Sequence, residues 1–343
     1  MKKILIVGGG LAGSLLAFRL EEEGLKVTVL DCGVNHSTAV AAGMVNPMVF
    51  RRMNKSWRLD AFIAEAKIFY QALELKFNTS FFHPITIRRM FSSQQERDFW
   101  LERQEWEEYQ DYLEKVTESD EKYKLAKNDF GSGRVKNAFW VNARSFYDAC
   151  LNYFESKGTL LKESFDLVEF NAQAGEYKGV TYDAVVFATG YRNPEMPFFQ
   201  TIPVEQTKGQ VLTIRSKDLP ESESLNRKCF VLPVGEHTFR VGATYDWKNA
   251  DLSINEEAFQ LLESNLRFLS DAPFELLEQN AGIRPTTKDR RPFMGKHPNF
   301  DKLYLFNGLG TKGYLMAPLL SKEMANYILH KKALHPETDL ARL

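Results

Sequence analysis

MKKILIVGGGLAGSLLAFRLEEEGLKVTVLD, residues 1–31, sets the fold class of this chain. An apolar run, Ile4–Val7, leads into a glycine turn and a segment with helical spacing. The breaker Gly24 then precedes a second β-rich run, Lys26–Leu30, which is closed by Asp31. This order predicts a strand, a turn, a helix and a strand within about 30 residues, the context of a dinucleotide-binding fingerprint.

The glycines of this turn have separate roles in such a fingerprint. Gly8 permits a tight turn after the strand, Gly10 lets the backbone approach a pyrophosphate, and Gly13 allows close packing of helix on strand. The pyrophosphate is then stabilised by the positive end of the helix. Asp31 is placed to accept hydrogen bonds from a ribose, and its charge would repel the 2′-phosphate of NADP.

The amino terminus also has features of a secretion signal, because Lys2 and Lys3 precede small and apolar residues. Glycines interrupt that run and a β-rich segment follows it directly, which argues against a signal peptide. The apolar stretch Ile4–Phe18 is also shorter than the ~20 residues that a membrane span needs. The sequence therefore predicts no transmembrane segment.

Length and composition limit the class of protein. A chain of 343 residues predicts two domains. Its 44 basic and 45 acidic residues give a net charge of −1, which predicts no nucleic-acid partner. Cys32, Cys150 and Cys229 are odd in number and scattered, which indicates reduced thiols and a cytoplasmic protein. No spacing of histidines or cysteines indicates a metal site.

Apolar periodicity predicts alternating types of structure along the rest of the chain. A strand is predicted over Pro84–Phe91 and an amphipathic surface helix over Gln94–Val116. Asn142 and Asn255 are expected to cap two further helices. The run Thr181–Gly190 indicates a buried strand of the same parallel sheet as the amino-terminal strands.

Between Val204 and Arg284, short β-runs at hairpin spacing predict an antiparallel sheet. The chain then returns to a strand, a glycine loop and a long helix. The predicted fold class is α/β plus α+β, in which a Rossmann-like dinucleotide-binding domain is interleaved with an antiparallel-sheet substrate domain. The predicted segments are 1–83, 141–200 and 285–343 for the dinucleotide-binding domain, and 84–140 and 201–284 for the substrate domain.

Several motifs together carry a resemblance to a known family. In chain order they are Gly8-x-Gly10-x-x-Gly13, Ala41-Ala-Gly-Met44, Val186-Phe-Ala-Thr-Gly190, Val241-Gly-Ala-Thr244, Ala281-Gly-Ile-Arg-Pro285 followed by Asp289 and Pro292, and Gly308–Pro318. The sequence resembles the FAD-dependent D-amino-acid oxidase family, nearest to its glycine oxidase and sarcosine oxidase branch. The similarity extends from end to end, although residues 90–140 match only loosely.

The resemblance implies that the cofactor is FAD. The cofactor is expected to be non-covalent, because no cysteine lies in the segment where covalent relatives attach their flavin. The glycine turn and Asp31 would hold the ADP half, Val168 would lie by the adenine, and the carboxyl-terminal glycine loop would wrap the flavin. The residues expected to bind FAD are Gly8, Gly10, Leu11, Ala12, Gly13, Asp31, Cys32, Ala42, Gly43, Met44, Val168, Ala188, Thr189, Gly190, Gly308, Gly310, Thr311, Lys312, Gly313 and Tyr314.

The resemblance also places the substrate-binding arginine at Arg284. An arginine can bind a carboxylate through two parallel hydrogen bonds and stays charged at any working pH. The alternative is a solvated charged loop, because Lys288, Arg290 and Arg291 follow closely. The resemblance favours the functional role.

Three further residues are expected at the reaction site. Met44 lies in the segment that passes near the flavin in the family. Phe230 stands where glycine-oxidase-like members have an aromatic hydroxyl that grips the substrate carboxylate, and phenylalanine donates no hydrogen bond. Arg240 stands where sarcosine-oxidase-like members carry a lysine that assists oxygen, with an ordinary strand-surface arginine as the alternative.

The family chemistry implies hydride removal from the carbon that bears an amine to flavin N5, and hydrolysis of the resulting imine. The predicted protein is therefore an FAD-dependent amine or amino-acid oxidase or dehydrogenase, with oxygen or a quinone as electron acceptor. Two alternatives stay open: a demethylase-like or deacetylase-like enzyme on a modified base side chain, and a non-catalytic redox sensor that binds FAD. The sequence predicts no particular oligomeric state.

Overall fold

The computed structural model describes residues 1–34, 37–116 and 125–343, with only the backbone of Arg51. The strands are β1 (Lys3–Val7), β2 (Lys26–Leu30), β3 (Met44–Val45), β4 (Met48–Val49), β5 (Asn54–Lys55), β6 (Phe82–Met90), β7 (Ser132–Val141), β8 (Leu160–Leu161), β9 (Phe170–Asn171), β10 (Glu176–Tyr177), β11 (Val180–Thr181), β12 (Ala184–Phe187), β13 (Glu205–Arg215), β14 (Ser224–Asn226), β15 (Phe230–Gly235), β16 (Thr238–Gly242), β17 (Glu275–Thr286), β18 (Phe293–Lys296) and β19 (Leu303–Asn307).

The α-helices are α1 (Leu11–Glu22), α2 (Ser37–Val40), α3 (Leu59–Phe77), α4 (Gln94–Arg103), α5 (Ala143–Ser156), α6 (Glu256–Leu269) and α7 (Gly313–His330). Short 3-10 turns occur at Phe50–Arg52, Glu107–Tyr109, Gly190–Glu195, Gly310–Lys312 and Leu340–Arg342. Within the residues described, no helix is both long and apolar enough to cross a membrane.

The first sheet is largely parallel and has the strand order β18-β19-β12-β1-β2-β8. β1 pairs in parallel with β2 and β12, whereas the edge strand β18 runs antiparallel. Alternate residues of β1 enter different cores, since Ile4 and Ile6 join one apolar cluster and Leu5 and Val7 join another. Both faces of the sheet are therefore covered, as is usual for parallel strands connected by helices.

The carboxyl edge of this sheet positions the site. β1 is followed by Gly8, β2 by Asp31, β12 by Ala188, and β19 by Gly308. Because these strands run in the same direction, the four turns meet at one edge. This edge is where open parallel sheets bind nucleotides.

The second sheet has the order β17-β13-β16-β15-β14-β6-β7-β3 and is antiparallel apart from the β14–β6 pair. β13 and β17 pair along their whole length, with Thr207 opposite Arg284 and Gly209 opposite Gly282. This long two-stranded ribbon pairs the beginning of the predicted antiparallel region, near residue 205, with its end, near residue 286. Arg284 lies on β17, near the end of this ribbon.

The chain alternates between the sheets. β1 and β2 lie in the first, β3, β6 and β7 in the second, β8 and β12 in the first, β13 to β17 in the second, and β18 and β19 in the first. This confirms the predicted interleaved α/β plus α+β fold. β3 belongs to the antiparallel sheet although it falls in the predicted segment 1–83. The five segment boundaries stay a proposal.

Two predicted caps are confirmed and one predicted helix is partly wrong. Asn142 accepts a hydrogen bond from Ser145 N at 3.2 Å, and Asn255 accepts one from Ala258 N at 3.0 Å. The helix expected over Gln94–Val116 ends at Arg103. The side chain of Gln104 instead bonds both backbone groups of Val116, at 2.7 and 2.8 Å, so the chain turns back on itself.

Candidate active site

The glycine turn after β1 is built as the sequence predicts. Gly8 has φ 111°, and a Cβ there would lie 2.4 Å from the carbonyl oxygen of Ala188. A Cβ on Gly13 would lie 1.9 Å from the carbonyl oxygen of Gly8, so the first turn of α1 packs directly on the strand. A Cβ on Gly10 would approach only the Thr38 hydroxyl, at 3.3 Å. Gly10 thus borders open space, which is where a ligand must approach the backbone.

Asp31 is buried beside this turn and holds its shape. Its carboxylate accepts hydrogen bonds from Gly9 N and Gly33 N, both at 2.8 Å, and from the Tyr147 hydroxyl at 3.3 Å. Burial, together with the charge of Asp31, raises the pKa of Tyr147, so the phenol stays a neutral donor. Gly9 is required here too, because a Cβ would lie 2.7 Å from the carboxylate.

A cavity opens along this edge of the parallel sheet. It contains most of the residues that the sequence assigns to the cofactor: Gly8, Gly10, Leu11, Ala12, Asp31, Cys32, Ala188, Thr189, Gly190, Gly310, Thr311, Gly313 and Tyr314. The Thr189 hydroxyl is buried in its wall without a hydrogen-bond partner among the described residues. A polar atom in that state is suited to bind a polar ligand.

Val168, which the resemblance places by the adenine, lies outside the first cavity. Its side chain is 91% exposed and does not line the cavity. The segment between β8 and β9, which contains Val168, lines the cavity through the earlier residues Glu163, Ser164 and Phe165. The prediction that Val168 lies by the adenine stays a prediction.

A second cavity, of about 690 Å³, adjoins the first. Its walls include four residues predicted near the flavin or the substrate: Ala42, Gly43, Met44 and Phe230. Both cavities share the residues Ala41, Val211, Arg284, Thr311 and Tyr314. Arg284 thus lies at the junction of the two cavities. Gly13 and Gly308 line neither cavity and act through the backbone turns that they permit.

Arg284 projects from β17 across the neighbouring strand. A Cβ on Gly209 would lie only 2.1–2.3 Å from the guanidinium, so a glycine is needed on β13 to make room for it. The guanidinium donates to the carbonyl oxygen of Thr244 at 3.2 Å and lies 4.7 Å from the centre of the Tyr245 ring. Burial lowers its pKa, but an arginine remains charged. Across the described ranges it forms no ion pair with a carboxylate, so it can accept an anionic ligand.

Lys312, which the resemblance assigns to the cofactor, lines the second cavity. Its ammonium donates to the carbonyl oxygen of Asn46 at 3.1 Å and to the Ser56 hydroxyl. Burial, with some repulsion from Arg290, lowers its pKa to about 8. Lys312 therefore brings a second positive charge to the cavity that contains Arg284.

Arg240, which the resemblance places at the reaction site, lines neither of the two cavities. Its guanidinium donates to the carbonyl oxygens of Ala41 and Val40, at 2.8 and 2.9 Å. Both of these residues border the first cavity. Arg240 is thus a positioning residue that fastens the segment before Ala42 to the antiparallel sheet.

Sequence reasoning missed three residues that the fold brings to the site. Gly9 accommodates Asp31, Thr38 accepts a hydrogen bond from Leu11 N at 2.9 Å, and Tyr245 packs on Arg284. Tyr245 directly follows the motif Val241-Gly-Ala-Thr244, and this adjacency is the sequence signal that could have identified it. In the part of the chain that the structure describes, no group of histidine, cysteine or acidic side chains could hold a metal ion.

The glycine turn at the carboxyl edge of the parallel sheet defines a dinucleotide-type binding cavity, and a second cavity adjoins it at Arg284. The chain belongs to the FAD-dependent oxidoreductase (DAO) family, whose sequence model matches residues 3–327. It is 26% identical to an uncharacterised oxidoreductase, YurR, of Bacillus subtilis, over 99% of this chain and 98% of that protein. It is 24% identical to the glycine oxidase of the same organism, over 96% and 93% of the two chains.

A solved structure shares the fold. The crystal structure of glycine oxidase from Geobacillus kaustophilus matches with a TM-score of 0.81 and 19% identity, over 100% of this chain and 98% of that one. The protein is therefore an FAD-dependent enzyme. The first cavity fits this cofactor, since Gly10 leaves room for a pyrophosphate and the Thr189 hydroxyl is available for a hydrogen bond.

Proposed function

We propose that the enzyme oxidises the C–N bond of a small amino acid or N-substituted amino acid whose carboxylate is anchored by Arg284. The observation that carries this proposal is the Arg284 guanidinium, which borders both cavities and has no carboxylate partner within the described residues. A substrate carboxylate would supply the missing negative charge. Because arginine offers a planar pair of donors, it would also fix the orientation of the substrate.

When bound, FAD would supply the electron-accepting chemistry for removal of a hydride from the carbon that bears the amine. The amine nitrogen loses a proton as the C=N bond forms, and water then hydrolyses the imine to a carbonyl compound and a free amine. The protein's contribution is to place the carbon next to the flavin, which is a positioning effect. The proposed final electron acceptor is oxygen or a quinone.

The remaining walls of the second cavity support that positioning. Lys312 contributes a second charge for the carboxylate, while Met44 and Phe230 present apolar surface to the substrate. Apolar walls exclude water and strengthen the attraction between the carboxylate and the two cations. FAD is held without a covalent bond in this proposal, chiefly through the glycine turn and Asp31.

The test separates an enzyme from a redox sensor. The purified holoprotein is denatured to identify the released cofactor, and a second sample is mixed anaerobically with amino acids and N-substituted amines. We expect free FAD on denaturation, and bleaching of its visible absorption by at least one compound in the panel. Cofactor that stays attached to the chain would contradict non-covalent binding. A panel in which no compound bleaches the flavin would support the sensor.

A further inference from the structure

The second cavity is lined by Phe230 and by two tyrosines, Tyr245 and Tyr314. The Tyr314 hydroxyl already donates to the carbonyl oxygen of Thr38 at 2.8 Å. Phe230 lies on β15, with its ring against Gly242 of β16, where a Cβ would be 2.8 Å from the ring. Tyr245 follows β16 and lines the same cavity. Phe230 therefore contributes surface alone, and Tyr245 is the tyrosine of this cavity whose hydroxyl has no protein partner among the described residues.

The residues immediately before and after Tyr245 hold it next to the Arg284 guanidinium. Thr244, immediately before it, accepts the hydrogen bond from Arg284. Asp246, immediately after it, exchanges two backbone hydrogen bonds of 2.9 Å with Lys208 of β13. Thr244 is itself tied to Gln210, through its hydroxyl at 2.9 Å and its backbone N at 3.2 Å. The backbone around Tyr245 is thus fixed to the strand that lies beside Arg284.

The contact between the two side chains leaves their polar groups available. The Tyr245 ring centre is 4.7 Å from Arg284 Cζ, the distance of a cation–π contact. An aromatic ring in such a contact covers the guanidinium face, so the donors at its edge can still bind a carboxylate. The Tyr245 side chain is 58% exposed, and its hydroxyl has no protein partner within the ranges described.

We propose that Tyr245 donates its hydroxyl to the substrate carboxylate held by Arg284, replacing the donor that position 230 lacks. This rests on the proposed function, because the carboxylate is that of the amino-acid substrate. Arg284 would supply the positive charge and two hydrogen bonds to the carboxylate. Tyr245 would supply a third hydrogen bond and cover the carboxylate at the cavity mouth. Tyr245 is then a substrate-binding residue that increases specificity for carboxylates over neutral analogues.

The experiment measures binding of glycolate to the holoprotein, through perturbation of the flavin absorption spectrum, and uses glycolamide as the neutral control ligand. Tyr245→Phe keeps the ring over Arg284 and removes only the hydroxyl. We expect it to weaken glycolate binding by about ten- to hundredfold, the loss of one hydrogen bond to a charged group, and to leave glycolamide binding unchanged. Equal glycolate affinity in the variant and the native protein would overturn the proposal.

The matched variant is Phe230→Tyr, which offers a hydroxyl from the other ring. We expect it to restore glycolate binding in the Tyr245→Phe background and to improve it little in the native protein, where the donor is already present. An improvement of more than tenfold in the native background would show that Tyr245 does not supply the donor. Because both changes keep an aromatic ring of the same size, FAD content and Tm serve as controls for folding.

These outcomes are distinguishable from those of the proposed function. If no amine bleaches the flavin but glycolate binding depends on Tyr245, the oxidation proposal fails and the carboxylate contact stands. If an amino acid bleaches the flavin and Tyr245→Phe binds glycolate normally, the oxidation proposal stands and Tyr245 has no role in it. If glycolate does not perturb the native flavin at all, the carboxylate site itself is contradicted.

Discussion

Replacing Gly209 by alanine tests whether the position of Arg284 matters for activity. The added Cβ would lie 2.1–2.3 Å from three guanidinium atoms, whereas ordinary van der Waals contact begins at 3.4 Å. The guanidinium must therefore move by about 1 Å, and a displacement of that size at an anchoring residue reduces activity about tenfold to hundredfold. FAD content should stay near normal, because the glycine turn proposed to bind the ADP half follows a different strand, β1.

The assay is steady-state kinetics on the best amino-acid substrate, with flavin content measured on the same samples. Arg284→Ala and the double variant complete a mutant cycle. If alanine at position 209 acts only by displacing Arg284, it has little further effect once that side chain is gone. Native kinetics in Gly209→Ala, or an equal loss in the Arg284→Ala background, would refute the reasoning.

Three further changes have defined outcomes. Gly10→Val should yield protein with little FAD, measured by absorbance, because a side chain would block the backbone approach; full FAD content would contradict this. Arg284→Ala should lower kcat/KM at least a hundredfold, a loss of about 3–5 kcal/mol of transition-state stabilisation, and Arg284→Lys should recover only part of it. Unchanged kinetics in Arg284→Ala would contradict the role of Arg284 as the carboxylate anchor. Glycolate affinity should fall as the pH rises through about 8, where Lys312 loses its charge, and this fall should be absent in Lys312→Gln. If the same pH dependence persists in Lys312→Gln, Lys312 is not the group that titrates.

The parallel half of the fold could be predicted because its signals are local. The glycine turn, the helix after it and the acid after β2 all lie within residues 1–31, so their spacing alone implies the geometry. The caps at Asn142 and Asn255 are local for the same reason. The prediction of a helix over Gln94–Val116 was too long, because the end of the helix depends on a contact of the Gln104 side chain with Val116, twelve positions later in the chain.

The candidate site was only partly predictable, since it depends on contacts between distant segments. Arg240 occupies a strand position that periodicity cannot distinguish from a surface one, and its partners lie some 200 residues earlier in the chain. The room for Arg284 comes from Gly209, which is on a different strand. Lys312 belongs to the predicted glycine loop, but the loop aims it at the second cavity through bonds to Asn46 and Ser56.

The central claim is that this flavoenzyme selects its substrate by a carboxylate bound at Arg284. The most direct measurement compares anaerobic flavin reduction by matched pairs that differ only in the carboxylate, such as sarcosine with dimethylamine, alanine with ethylamine, and proline with pyrrolidine. We predict that an amino acid reduces the flavin of the native protein much faster than its amine partner, and that Arg284→Ala removes most of this difference. Equal reduction by both members of every pair would contradict the claim, as would a preference that persists without Arg284.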